Sequence, residues 1–131
     1  MDDKRLERLY DYTKFHIGIY LSAAGGLAAL ISTAADGTKT SYIRSLIGAP
    51  RALGVAFAFL VFAGVAGAIV ATSAIESESY VEFSRTPQGA HGLKPFLGAT
   101  WVRIEHACFW LSLVFLGIGV FSAPAVIKLL F

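Results

Sequence analysis

Residues 52–75 read ALGVAFAFLVFAGVAGAIVATSAI, a run with no charged side chain. In lipid a chain must satisfy its backbone hydrogen bonds within itself, and about 20 apolar residues of α-helix cross a hydrocarbon core. This run meets that length, and two others do so beside it: residues 15–35, and residues 101–121 with their apolar part from Ile104 onward. The fold class expected is an all-α integral membrane protein with three transmembrane helices and a short N-terminal amphipathic helix. All 131 residues form one membrane domain.

Composition agrees with that reading. The chain is 56% hydrophobic and 15% charged, whereas an ordinary soluble domain carries about 25% charged residues. A net charge of +2, with scattered basic residues, excludes a nucleic-acid surface or a polybasic lipid-binding run. The single cysteine, Cys108, excludes an internal disulfide and any cysteine-pair metal motif.

The segments flanking the spans complete the layout. In residues 1–14, Leu6, Leu9, Tyr10 and Thr13 share one face, with Lys4, Arg5, Glu7, Arg8 and Asp11 around the rest. This segment lies at the interface or continues into the first span. A signal-peptide h-region is about 7–15 residues, shorter than the apolar run that follows, so the first span reads as retained. The connector DGTKTSYIRSLIGAP closes with Pro50 at the start of helix two, and its shortness makes helices one and two antiparallel neighbours. Residues 76–100 form a longer polar connector in which Pro87, Gly89, Gly92 and Pro95 stop any extension of helix two. This connector is where a soluble partner would dock. Pro124 ends or kinks helix three and leaves residues 122–131 as an interfacial tail.

Lysine and arginine in short loops set orientation. One side holds seven (Lys4, Arg5, Arg8, Lys14, Arg85, Lys94, Arg103) and the other four (Lys39, Arg44, Arg51, Lys128). The expectation is a multi-pass protein of the cell membrane with a cytoplasmic N-terminus and an external C-terminus.

Helices associate in lipid through close packing of small residues and through polar contacts. Gly18, Ser22 and Gly26 recur every fourth residue on helix one, and Ala63, Gly67 and Ala71 do so on helix two. Helix three is bulkier, with Phe109, Trp110 and Phe115. Helices one and two are therefore expected to pack closely, with helix three outside them or against a neighbouring subunit. Three short helices enclose little space for a solute, so self-association or another membrane subunit is the expected partner, alongside the lipid bilayer.

Three spans bring the start of helix one, the end of helix two and the start of helix three to one side. Lys14, His16, Glu76, Glu78, Arg103, Glu105, His106 and Cys108 share that boundary. Charges inside a span are costly and usually face protein or water. Trp101 and Arg103 suit the interface. Glu105 lies deeper and cannot readily pair with Arg103, two positions away on the same helix. Its partner is sought in the Trp101 indole, in Lys14 or His16, or in another subunit.

Glu105, His106, His16, Lys14, Arg103 and Glu76 thus form a candidate polar belt, either fixing helix register or holding an ion, proton or ligand. No catalytic motif and no metal-binding motif is present, so neither an enzyme nor a metal site is expected. No cofactor is expected, haem between His16 and His106 being the minor alternative. The functional expectation is a small oligomeric membrane protein, most concretely a pore or ion channel with Glu105 at its mouth. The alternatives are a non-conducting accessory subunit of a larger complex and a haem- or quinone-binding redox subunit.

Overall fold

The computed structural model describes residues 3–35 and 47–130. Expectations for the first connector, including Asp36, Lys39 and Arg44, lie outside the described residues. Three long helices dominate: α1 (Lys4–Ala35), α2 (Pro50–Glu76) and α4 (Gly98–Phe121). Each is long and apolar enough to cross a membrane. Between α2 and α4 stand a short helix, α3 (Tyr80–Arg85), and two antiparallel strands, β1 (Pro87–Ala90) and β2 (Leu93–Leu97); α5 (Pro124–Leu130) follows.

The burial pattern has a period of seven. On α1 the buried residues include Leu6, Thr13, Tyr20 and Leu27; on α4 they are Gly98, Glu105, Ser112 and Gly119. The central helix α2 offers Leu53, Leu60, Gly67 and Ala74 at the same spacing, beside Ala56, Ala63 and Val70. Seven residues is the repeat that keeps one seam facing a neighbour when helices pack at a shallow angle. Leu6 lies with Val70 and Ala74, whereas Tyr20, Ala24 and Leu27 lie with Leu53, Ala56 and Leu60. Hence α1 and α2 are antiparallel, as their order requires.

Helix three departs from its expected place. It packs along α2 as extensively as α1 does, which makes α2 the middle helix of the bundle. The small residues on its buried face explain why: a Cβ on Gly119 would lie 2.7 Å from Leu53 Cγ, so only glycine admits the leucine there. The bulk of α4, including Trp110 and Phe121, points outward. It also begins at Gly98, three residues before the expected Trp101.

The ends of the bundle are built from their local sequence. Of the two arrangements expected for the amphipathic segment the structure shows the continuous one, since α1 runs unbroken from Lys4. Its N-terminus is capped by Asp3, whose Oδ1 accepts from the amides of Arg5 (2.9 Å) and Leu6 (3.3 Å). Asp3 Oδ2 also accepts from the Tyr80 amide at 2.9 Å, and the Arg5 guanidinium lies 3.8 Å from the Tyr80 ring centre. These contacts tie α1 to α3.

The polar connector is a folded cap. Ser79 caps α3 by accepting from the Glu82 amide, while Glu82 accepts from the amide of Glu78. Phe83 is buried with Leu6, Val70 and Ala74, and Tyr80 and Trp101 pack around them. His91 and Gly92, with φ of 54° and 80°, make the two-residue hairpin loop between the strands. Two positive φ values in succession are what a type I′ turn demands. Beyond α4, Pro124 ends the long helix, as expected, and opens a further short one within residues 122–131, because proline is well suited to a first helical position.

Candidate functional site

The buried face of α4 carries a single ionisable residue, Glu105, with no solvent exposure. Tyr20 of α1, equally buried, donates its hydroxyl to Glu105 Oε1 at 3.0 Å. Helix two supplies the room for this contact. A Cβ on Gly67 would lie 3.4 Å from Glu105 Oε1 and 3.0 Å from Ile17 Cγ1, so the small residue lets both neighbours close in. All three helices meet at this point.

Within the chain, Glu105's partner is therefore none of the side chains expected from the sequence. The Trp101 indole instead donates to the Gln88 carbonyl at 2.8 Å and fastens the hairpin to α4. Lys14 is exposed, with its Nζ 5.8 Å from the Tyr10 ring centre. His16 donates through Nδ1 to the Tyr12 carbonyl at 2.8 Å. This bond fixes the proton on Nδ1 in the neutral ring and leaves Nε2 as an acceptor.

An aromatic layer surrounds the pair. Tyr12 and His16 stack with ring centres 3.9 Å apart, and His106 meets the Tyr12 ring edge-on at 5.7 Å. Phe109 reaches His16 at 6.0 Å and Tyr20 at 5.4 Å. Of the six belt candidates, the structure thus gathers Glu105, His106 and His16 along the seam of α1 and α4. Arg103, Lys14 and Glu76 are exposed at the periphery.

Three buried polar atoms have no hydrogen-bond partner among the described residues: Glu105 Oε2, Thr13 Oγ1 and His106 Nε2. Thr13 lies seven residues before Tyr20 on the same face of α1 and is wholly buried. Thr13 stands on the expected amphipathic face, and neither it nor Tyr20 is among the belt candidates. The available signal was the spacing of Leu6, Thr13, Tyr20 and Leu27.

The two small-residue stripes have different fates. On α2, Ala63 and Gly67 are buried and Ala71 is half-buried, so that stripe is used inside the bundle. On α1, Gly18, Ser22 and Gly26 are exposed, and a Cβ on either glycine would meet nothing within 4 Å. Helices one and two pack closely, as expected, but not through the α1 stripe: α1 turns Tyr20, Ala24 and Leu27 toward α2, because these larger residues fill the space beside α2's small ones. An open depression bounded by Phe15, Gly18, Ile19, Ser22 and Ala23 remains on the outer face.

No group of three or more His, Cys, Asp or Glu is placed to hold a metal among the described residues. Comparison of the chain with protein-family models, with curated proteins and with solved structures finds no match.

Proposed function

We propose that the protein is a three-span membrane protein, without enzymatic activity, that works as a self-assembling helix-packing subunit. Its outer surface supports immersion in lipid. Phe15, Phe62, Trp110 and Phe121 are each more than 60% exposed on the three long helices. In water such a surface would be an aggregation-prone patch. The lysine and arginine distribution favours the cell membrane orientation with a cytoplasmic N-terminus.

The observation that carries the reading is the outward α1 stripe. A close-packing surface of glycine and serine confers little on a helix that faces lipid alone, but it lets a second helix approach closely. The proposed occupant is the same stripe of another copy, which a two-fold arrangement makes self-complementary. The pore reading, by contrast, needs Glu105 on a shared axis, whereas the carboxyl is enclosed by α1 and α2 of its own chain.

Native mass spectrometry of the chain in nanodiscs tests this proposal. A symmetric oligomer that dissociates in Gly18→Leu and Gly26→Leu supports it; a wild-type monomer overturns it. Cation flux through liposomes that falls in Glu105→Gln would favour the channel instead. A visible haem band in the purified protein would favour the redox reading.

A further inference from the structure

Glu105 Oε2, Thr13 Oγ1 and His106 Nε2 are all buried and all unpaired within the described protein. Buried polar groups left unpaired cost free energy, and ordered water commonly satisfies them. These three belong to one seam. His106 follows Glu105 directly, its ring abuts Tyr12, and Thr13 follows Tyr12. All three lie nearer the end of the bundle where α1 and α4 begin than the opposite end.

We propose that Glu105 is an exchangeable proton site, reached from the N-terminal end of the bundle through water held by Thr13 and His106. The donor set selects the ligand. An alkali cation needs a shell of several oxygens, whereas here one of three open atoms is an imidazole nitrogen and the Tyr20 proton is already directed at Oε1. Water can donate and accept at all three. A hydroxyl donates or accepts, an imidazole nitrogen does either according to its protonation, and so does a carboxyl oxygen.

Tyr20 sets which oxygen takes the proton. Its hydroxyl donates to Oε1, which remains an acceptor in both states, so the exchangeable proton resides on Oε2. Uptake then runs in one direction. A proton on His106 Nε2 leaves as an N–H bond breaks and an O–H bond forms on the bridging water. Another O–H bond of that water breaks as the Oε2–H bond forms. His106 ends neutral, the water is unchanged and Glu105 is a neutral acid.

Among the described residues, the titratable groups around Glu105 are Tyr12, His16 and Tyr20 on α1 and His106 and Cys108 on α4; α2 faces it with Gly67, and Glu76 is exposed at the C-terminal end of that helix.

Infrared spectroscopy of the full chain in nanodiscs, stepped in pH, tests the proposal. The expected result is one carboxylic-acid C=O band that titrates with bulk pH and disappears in Glu105→Gln. Tyr20→Phe should shift it to higher frequency, through loss of the hydrogen bond to Oε1. Its exchange on transfer to D2O should slow in Thr13→Val and in His106→Phe. Carbon-13 glutamate labelling of the wild type assigns the band to glutamate even if Glu105→Gln fails to fold. Absence of a protonated glutamate band at every pH would overturn the proposal. So would exchange at the wild-type rate in both seam variants, or a band that responds to sodium replacing choline instead of to pH.

Discussion

The Tyr20 hydroxyl lies 3.0 Å from Glu105 Oε1, joining residues 85 positions apart in the sequence. It is a bond between α1 and α4 that passes beside a glycine of α2. Both side chains are wholly buried, so neither meets bulk solvent.

Removing the donor should therefore cost more than neutralising the acceptor. Tyr20→Phe is expected to lose about 1–2 kcal/mol, since polar contacts between membrane helices average near 0.6 and reach about 1.7 and an orphaned oxygen adds to the loss. Glu105→Gln keeps a carbonyl acceptor for Tyr20 and should cost less. Reversible unfolding in mixed micelles, run as a double-mutant cycle, measures the coupling; additive effects would show that the bond contributes nothing.

The glycines separate into two kinds. Gly67→Leu places a side chain where Ile17 and Glu105 already lie, and should cost about 3 kcal/mol by overpacking. Gly18→Leu and Gly26→Leu point into open space and should change the stability of the single chain by no more than about 0.5 kcal/mol. Thermal unfolding at low protein-to-lipid ratio distinguishes them. Similar losses at all three positions would contradict the described α1 rotation.

Asp3 gives the cap a pH dependence. The Tyr80 and Leu6 amides bonded to its carboxylate hold its pKa below the usual value, with the Arg5 amide and guanidinium adding to the effect. A depressed carboxyl pKa contributes stability that is present above the unfolded value, near 3.9, and lost as pH falls through the lower folded value. Amide exchange at Tyr80 and Leu6, corrected for intrinsic rates, should show weakening protection in that acidic window. Asp3→Asn should flatten the dependence; an unchanged profile would mean that the clasp does not form.

His91 occupies a left-handed conformation, φ 54°, in the hairpin loop. His91→Asn gives Asn-Gly, the pair that suits this turn best, and should tighten the hairpin. His91→Val, β-branched, should loosen it by about 1–2 kcal/mol. Exchange of strand amides in the hairpin reads both changes, and equal rates in the two variants would exclude the turn.

Much of the fold was legible because length and apolarity alone decide what can span a membrane. Residues 52–75 and the other two runs required helices, and an odd number of spans required His16, Glu105 and His106 to lie near one end. The hairpin was not legible: its strands of four and five residues are short and contain Pro87 and Pro95, which read as loop. Helix rotation was also hidden. In a soluble bundle the large apolar residues mark the buried face, but in lipid both environments are apolar and the rule fails. On α4 the buried residues are Gly98, Glu105, Ser112 and Gly119, while Trp110 and Phe121 face out.

The sequence by itself determined three helices long and apolar enough to span a membrane, their alternating direction and the common level of the polar residues, since these follow from hydrophobic length and chain connectivity. Only the tertiary structure decided that Tyr20 is the partner of Glu105, that α2 is central and that the Gly18–Gly26 stripe faces outward. Those outcomes depend on the rotation of each helix about its own axis, which is set by how side chains of three helices fill one shared space.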